Sequence, residues 1–371
     1  MKFLFVDHYY PDFLKSFYLT HPSLDKKAYQ EELNLLLSMQ FGTADFYSHA
    51  MGQIGHQAID VVVNDYYGQE KWAQENGVNN LTLFSHVVNK LWGYTDYLAA
   101  RKASPRELDI LGAQIKAYRP DVLYVHNMSY LPTSFLIGQK KIVKLVVGQI
   151  ASPIAPLHAY RAFDLVITSL PHFVSKFRRM KLRAEYLPLC FDPGVLHDVR
   201  VKRVYPVTFV GSFFSVHKPG ITALSSLAHA VPLKIWGSPK SNITDPNLLA
   251  VYQGEAWGKE MYRILEQSQI TVNRHSRISG HNANNMRLFE ATGCGAMLLT
   301  DKKDNLCNFF TEGKEIISYS SADDLVKKIR YYLAHTKERQ TIAKAGQART
   351  MKDHTYEVRM KQLIKIIERY L

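Results

Sequence analysis

The chain has 371 residues, a net charge of +13, and a composition that is 46% hydrophobic and 12% aromatic. This composition excludes an intrinsically disordered protein, and the length suits two α/β domains better than a single core. The three cysteines, Cys190, Cys294 and Cys307, form no metal-binding spacing and are expected to be reduced thiols. The basic charge predicts an anionic partner, either a phosphate-bearing substrate or an acidic membrane surface. No nucleic-acid-binding motif is present, so we expect no nucleic-acid partner.

The first half of the chain alternates strand and helix patterns. Strands are predicted at residues 2–7, 58–63, 121–125, 142–147, 163–168 and 184–187, and helices at 44–55, 106–118 and 171–180. The chain begins with a strand and not with a signal peptide, and no apolar run is long enough for a membrane span. We therefore expect a cytoplasmic protein, with peripheral contact at the inner membrane face.

Residues 192–206 carry prolines and charges without periodicity and are predicted to link two domains. Beyond this segment, strands are predicted at 207–210, 233–236, 270–273 and 296–300, and helices at 221–230, 258–267 and 355–371. Strands and helices that alternate at this spacing predict a parallel, doubly wound sheet in each half. The fold class is therefore α/β.

The segment from 284 to 301 predicts a short helix, a glycine turn and a buried strand. Asn282 or Asn284 is suited to cap the helix, and a helix start with free amides attracts anions. Glu290 follows inside the helix, where it can accept hydrogen bonds from a sugar hydroxyl. Gly293 and Gly295 then end the helix. Taken alone, the pattern also fits an ordinary helix–strand unit with a surface glutamate.

Residues 284–296 read Asn-Asn-Met-Arg-Leu-Phe-Glu-Ala-Thr-Gly-Cys-Gly-Ala. They resemble the donor-nucleotide motif of GT-B glycosyltransferases, in particular the group-1-like branch that includes the spore-maturation CgeB-like proteins. Further matches lie at residues 207–212, 270–273, 309–315, 323–325, 345–347 and 354–360. The resemblance covers the C-terminal half, whereas the N-terminal half fits through its order of elements.

The resemblance implies a GT-B architecture, in which two Rossmann-like doubly wound domains face a cleft. Residues 1–198 would form the acceptor-binding domain and residues 206–354 the donor-binding domain. Helix 355–371 would cross back to the first domain. By resemblance, Glu290 is the acid that binds the donor ribose. Related retaining enzymes carry a second acid eight positions earlier, where this chain has Asn282, so the resemblance leaves a retaining or an inverting outcome open.

Ligands of doubly wound folds bind beyond the carboxyl ends of the strands, which marks the polar residues after each strand, His275 and Asp301 among them. Together with the resemblance, this position predicts a donor-binding set that holds a UDP-, GDP- or dTDP-sugar. The set comprises Gly211, Ser212, Lys218, Asn273, His281, Asn282, Asn284, Asn285, Arg287 and Glu290. The aromatic rings of the loop at 252–258 are further candidates for stacking on the base.

Transfer also needs a base near the acceptor hydroxyl. The candidates for catalysis in the first half are His126, which follows a strand, Asp12, and Gln149, which stands where many group-1 enzymes carry a histidine. No Asp-x-Asp pair suggests a metal on the diphosphate, so we expect a metal-independent reaction without a cofactor, in which helix dipoles and cations stabilise the leaving group.

These observations predict a glycosyltransferase that moves a sugar from a nucleoside-diphosphate sugar to a glycan, lipid or protein acceptor. Two alternatives remain open at this stage. A GT-B-type sugar-nucleotide epimerase would act on the donor alone. A non-catalytic sugar-nucleotide-binding or surface-structural protein would bind a nucleotide without turnover.

Overall fold

The computed structural model describes residues 1–78, 102–196, 201–213 and 218–371, without the side chains of Asp25 and residues 218–223. The chain divides into two compact units. The first unit comprises residues 1–187 and 360–371, and the second comprises residues 188–359. This division lies before the linker predicted at 192–206. No helix in the described part of the chain combines the length and the apolarity needed to cross a membrane.

The first unit is built on a sheet of six parallel strands among the described residues, in the order β2-β1-β3-β4-β5-β6. The strands are β1 Lys2–Asp7, β2 Gln57–Val62, β3 Val122–Val125, β4 Leu145–Gln149, β5 Leu165–Thr168 and β6 Ala184–Tyr186. Its helices are α1 Pro11–Thr20, α2 Tyr29–Ser38, α3 Phe46–Gln53, α4 Tyr66–Glu75, α5 Pro105–Tyr118, α6 Thr133–Gln139 and α7 Pro171–Arg179. The central strands are buried along their length, as expected for a parallel sheet that helices cover.

Local sequence sets the start of α5. The Ser104 hydroxyl accepts a hydrogen bond from the backbone N–H of Glu107 at 3.3 Å, and Glu107 Oε2 accepts from the N–H of Ser104 at 2.6 Å. Pro105 then occupies the first helical position, where its missing N–H costs nothing. Because Ile110 and Leu111 are buried, the capped helix is held in the core of the unit.

The second unit has a sheet of five parallel strands within its described residues, in the order β11-β10-β9-β7-β8. The strands are β7 Tyr205–Val210, β8 Leu233–Trp236, β9 Ser268–Asn273, β10 Met297–Asp301 and β11 Ile317–Tyr319. The helices are α8 Lys218–Ala230, α9 Pro246–Val251, α10 Gly258–Glu266, α11 Arg287–Gly293, α12 Ala322–Ala334, α13 Thr336–Asp353 and α14 Tyr356–Ile367, which continues into the first unit. Buried aliphatic and aromatic side chains of the strands and of α8, α12 and α13 form one core.

The predicted α/β class, with two doubly wound parallel sheets, is confirmed. Strands 2–7 and 233–236 have the predicted bounds, and the helix predicted at 44–55 is the shorter α3. Helices α1, α2, α4, α6, α9, α12 and α13 are additional to the predicted helices. Neither α1 nor α2 has a side-chain hydrogen bond at its N-cap, which is Tyr10 in α1 and Ala28 in α2.

A half-buried carboxyl on the edge strand β2 predicts a pH-dependent stability. Asp60 lines a cavity of about 390 Å³ and accepts a hydrogen bond from Ser48. Burial raises the pKa of Asp60 to about 8, although the Ser48 hydrogen bond acts in the opposite direction. The pKa of Asp60 is higher in the folded state than in the unfolded state. The protonated carboxyl therefore contributes its full stability below the unfolded-state pKa, which is about 4. It is lost as the pH rises through the folded pKa.

We therefore expect Asp60→Asn to stabilise the protein relative to the natural chain at about pH 9 and to do so much less at about pH 5. Each pKa unit corresponds to about 1.4 kcal/mol. Melting temperatures measured across this range test the prediction. A difference between the two proteins that does not change with pH would contradict it.

Candidate functional site

Each sheet has one point at which the strand order reverses, and this point is where doubly wound folds bind ligands. In the second unit the chain runs from β7 to β8 on one side and returns to β9 on the other. Ser212 follows β7, and Arg274 and His275 follow β9. In the first unit β1 lies between β2 and β3, so His8 and His126 mark the equivalent point.

A chain of side-chain hydrogen bonds joins the strand ends in the second unit. Asn273 Nδ2 donates to the Thr300 hydroxyl at 2.9 Å, and Asn285 Nδ2 donates to Asn273 Oδ1 at 2.7 Å. Asn285 Nδ2 also lies 3.1 Å from the carbonyl oxygen of Arg274. Two residues of the predicted donor set, Asn273 and Asn285, are therefore in direct contact. They hold the segment before α11 against the ends of β9 and β10.

The prediction that Asn282 or Asn284 caps the helix of the 284–301 segment is wrong. Helix α11 begins at Arg287 with Met286 at the N-cap, and neither Asn282 nor Asn284 caps it. The chain makes a 3₁₀ turn at Arg277–Ser279 and then continues without helix as far as Met286. Asn285 serves the helix start instead, because its Oδ1 accepts from the backbone N–H of Leu288 at 3.2 Å. The seven-residue helix ends as predicted at Gly293, and Gly295 takes a positive φ of 74°.

Arg287 and Glu290 form a buried ion pair one helical turn apart. Their side chains are 13% and 7% exposed, and Arg287 Nη1 lies 2.9 Å from Glu290 Oε2. Arg287 Nε also donates to the carbonyl oxygen of Val210, at the end of β7, at 3.0 Å. The Tyr262 hydroxyl lies 3.4 Å from Glu290 Oε1. The pair thus connects α10, α11 and β7 beside the reversal point, and the Glu290 carboxylate retains lone pairs for a ligand.

His275 and Asp301 form a second polar pair at the same edge. Asp301 Oδ1 lies 2.6 Å from His275 Nδ1 and accepts from the backbone N–H of His275 at 2.9 Å. Burial acts to raise the pKa of Asp301, but the hydrogen bonds and positive charge of His275 and Lys303 outweigh it, so the pKa lies below the ordinary value. The Asp301 carboxylate therefore holds the imidazole through Nδ1.

The other ring nitrogen of His275, Nε2, is available for a further hydrogen bond. The His275 side chain is fully buried, and its Nε2 has no hydrogen-bond partner among the described residues. A buried polar atom without a partner is costly, and such atoms are found where a ligand or water completes the bonding. The position of His275 and Asp301 after strands is visible in the sequence. Their direct pairing is not, because 26 residues separate them in the chain.

The other predicted donor residues have varied surroundings. The Gly211 N–H donates to the Trp236 carbonyl at 3.0 Å, and a Cβ on the neighbouring Gly237 would come within 1.9 Å of the Gly211 oxygen. Ser212 is half-buried and His281 is exposed. The side chain of Lys218 lies outside the described residues.

In the first unit, the structure brings His126 and Gln149 together through two tyrosines. Gln149 Oε1 accepts hydrogen bonds from the Tyr47 hydroxyl at 2.9 Å and from the Tyr124 hydroxyl at 2.6 Å. The His126 ring packs against the same tyrosines, with ring centroids 4.6 Å and 5.1 Å away. An amide does not titrate, so within this group the imidazole of His126 is better suited than Gln149 to accept a proton.

Burial lowers the pKa of His126, while the charge of Asp7 and a hydrogen bond with Gln149 act to raise it. The net effect keeps the imidazole neutral near pH 7. Nδ1 of His126 has no hydrogen-bond partner among the described residues. Asp12 lies exposed on the first turn of α1, and no described contact joins it to His126 or Gln149. The third predicted catalytic residue therefore stands apart from the other two.

Part of the chain matches a family model, and the whole chain is similar in fold to solved structures. Residues 221–365 match the family model described as glycosyl transferase-like. The structure of HepE from Anabaena in complex with UDP-glucose aligns with this chain over 100% of each chain, with a TM-score of 0.61 and 12% identity. No curated protein sequence matches the chain.

Two further solved structures have the same fold. A glycosyltransferase from Rickettsia africae has a TM-score of 0.59 and 12% identity, over 100% of this chain and 98% of that chain. AviGT4, a glycosyltransferase involved in avilamycin A biosynthesis, has a TM-score of 0.57 and 12% identity over the same shares. The chain therefore has the GT-B fold of these glycosyltransferases, and the segment that matches the glycosyl transferase-like model covers most of its second unit.

Proposed function

We propose that the protein is a glycosyltransferase that takes its sugar from a nucleoside-diphosphate sugar bound at the reversal point of the second sheet. The observation that carries this proposal is the buried polar cluster at that point, which lies inside the segment that matches the glycosyl transferase-like model. It joins Asn273 and Asn285, pairs Arg287 with Glu290, and leaves His275 Nε2 without a partner. HepE, a protein of the same fold, was solved with UDP-glucose and with UDP.

The residues of the cluster divide the tasks of donor binding. Glu290 accepts hydrogen bonds from ribose hydroxyls, while Arg287 holds its carboxylate in place. His275 Nε2 bonds to a polar atom of the donor, and Asp301 fixes the ring that presents it. Arg274 and Lys303 supply positive charge near the leaving diphosphate, where charge develops in the transition state.

In the transfer step, an acceptor oxygen bonds to the anomeric carbon as the bond from that carbon to the diphosphate oxygen breaks. The nucleoside diphosphate leaves with the bonding electron pair. His126 takes the proton of the acceptor hydroxyl, which its neutral form can do near pH 7. We propose that transfer needs no metal, so it should persist in the presence of EDTA.

On the basis of the motif at 284–296, we further propose that the protein belongs to the group-1-like, CgeB-like branch. We also propose that its basic charge supports peripheral contact with an anionic membrane. The donor would be a UDP-, GDP- or dTDP-sugar. A glycan, glycolipid or protein would accept the sugar.

The proposal is tested by the melting temperature of the purified protein with UDP, GDP, dTDP, CMP and their common sugar conjugates. A nucleotide that binds the folded state raises the melting temperature by mass action. We expect selective stabilisation by one nucleotide, followed by transfer to an acceptor. No shift with any nucleotide at millimolar concentration would contradict the proposal. Isomerisation of donor alone would identify an epimerase, and binding without turnover would identify a non-catalytic protein.

Two substitutions of His275 test the roles of its two ring nitrogens separately. Asparagine can still donate to Asp301 but lacks a group at the position of Nε2, whereas glutamine reaches that position. We expect His275→Asn to weaken nucleotide-sugar binding about 10- to 100-fold, the effect of one hydrogen bond to a charged group. His275→Gln should retain more of the affinity, and the exposed His229→Ala should match the natural protein. Equal affinities in calorimetry for all four proteins would exclude a ligand contact at Nε2.

A further inference from the structure

A large cavity lies in the first unit beside the ends of β1 and β2. Its volume is about 1180 Å³, at or above the upper end of the usual range for small-molecule sites, which is about 300–1,000 Å³. Residues of α1, α2, α4 and the start of α5 line it. Such a volume suits a ligand of several linked rings better than a single small metabolite.

Two buried carboxyl groups form one wall of the cavity. Glu32 and Asp65 are 1% and 2% exposed, and both line the cavity. The Tyr18 hydroxyl lies 2.6 Å from Glu32 Oε1 and 2.5 Å from Asp65 Oδ1. Since this hydroxyl carries one proton, it can donate to only one of the two carboxyl groups at a time. Each carboxyl oxygen has more than one lone pair, so Glu32 and Asp65 keep acceptor capacity for ligand hydroxyl groups besides their contacts with Tyr18.

Exposed aromatic rings stand beside these acids. Tyr66 and Tyr67 are 63% and 62% exposed, and the Tyr67 ring lies 4.7 Å from that of Tyr18. Asp65, the N-cap of α4, places both tyrosines on the first turn of the helix. A Cβ at Gly68 would lie 2.3 Å from Asp65 Oδ2, so glycine is needed for this arrangement. These two rings give the cavity an aromatic surface that an apolar face of a ligand can cover.

The charges of the cavity contrast with those of the whole chain. Four acids line it, and two of them are already paired, Glu32 with Lys71 and Glu70 with Arg106. Glu107 accepts from the Tyr130 hydroxyl at 3.0 Å. With three lysines against four acids in its lining, the cavity has no excess of positive charge. It is thus unsuited to phosphate groups or to an anionic lipid headgroup, although the chain carries a charge of +13.

A carbohydrate matches these features. The C–H faces of a sugar ring are apolar and stack on aromatic side chains, and its hydroxyl edge donates hydrogen bonds to carboxylates. We propose that this cavity binds the acceptor, and that the acceptor is a neutral oligosaccharide whose sugar rings contact Tyr66 and Tyr67 and whose hydroxyls bond to Asp65 and Glu32. This inference rests on the proposed function, of which it names the acceptor class.

The test uses the full chain without nucleotide, applied to an array of neutral and phosphorylated glycans and then titrated by calorimetry with the best neutral oligosaccharide. The double variant Tyr66→Ala/Tyr67→Ala changes only exposed rings, and the control is Tyr331→Ala, an exposed tyrosine of α12. We expect the double variant to bind about tenfold or more weakly, and the control to bind as the natural protein does.

Each of three results would overturn the inference. The first is that no neutral glycan binds, and the second is that only phosphorylated glycans bind. The third is that the double variant binds neutral glycans with the affinity of the natural protein. The rise in melting temperature caused by nucleotides, measured on the same variants, distinguishes the acceptor inference from the donor proposal. If nucleotides still raise the melting temperature while neutral glycans fail to bind, the acceptor inference fails and the donor proposal stands. The reverse result would reject the donor proposal alone.

Discussion

Replacing Glu290 with alanine is expected to abolish detectable donor binding and to destabilise the second unit. The substitution removes the carboxylate assigned to the ribose and leaves the Arg287 guanidinium buried without its 2.9 Å partner. Breaking a buried ion pair from one side typically costs about 3–5 kcal/mol, because the remaining charge is uncompensated. Nucleotide titration by calorimetry and the melting temperature of the free protein measure the two effects separately.

Two companion variants separate the effect on donor binding from the effect on folding. Glu290→Gln keeps the size and should fold better than Glu290→Ala, but it should still bind the donor weakly, since its amide offers one acceptor oxygen. Arg287→Ala combined with Glu290→Ala should recover part of the lost stability, because no unpaired charge remains. It should not recover binding. Donor affinity that is unchanged in Glu290→Gln and in the double variant would reject the role assigned to Glu290.

Replacing His126 with alanine is expected to lower the rate of transfer by about 10²–10⁴-fold, the usual contribution of a general base. Donor affinity should not change, because His126 belongs to the first unit and the donor cluster to the second. In the natural protein, the rate should fall at acid pH as His126 becomes protonated. Since burial lowers its pKa, the fall should be centred below about 6.5, the ordinary pKa of histidine.

The matched control is His49→Ala, which removes an exposed histidine of α3 that contacts Gln53. It should transfer sugar at the natural rate. Single-turnover rates measured from about pH 5 to about pH 8 would show whether the acid fall disappears in His126→Ala. A variant that transfers at the natural rate, or that keeps the same pH profile, would show that another group accepts the proton.

Much of the fold is predictable because its signals are local. The buried strands at 2–7 and 233–236 are short apolar runs, and α5 carries its own capping box at Ser104 and Glu107. Helices α1 and α2 lack such a signal, because tertiary packing of residues such as Phe17 and Leu36 stabilises them instead. Capping alone does not separate the two groups, since α4 and α12 were also missed although Asp65 and Ser321 cap them.

The site was only partly predictable for a related reason. Position after a strand indicates Asn273 and His126, and it also marks His275 and Asp301. The sequence does not show which polar neighbours meet, since the partners of Asn285 and Asp301 lie 12 and 26 residues away. The start of α11 was misplaced because Asn282 and Asn284 suit a cap by residue type alone, whereas in the structure it is Asn285 that bonds to the start of the helix.

The first unit contains residues from both ends of the described chain, 1–187 and 360–371. Met360, Leu363 and Ile367 of α14 are fully buried, and the Tyr370 hydroxyl donates to Glu185 at 2.6 Å. During synthesis on the ribosome, this unit therefore cannot finish folding before the second unit has been made. The second unit, in contrast, is one continuous segment and can fold as soon as it emerges. A nascent chain that stalled before residue 360 would leave apolar surface of the first unit exposed to chaperones and proteases.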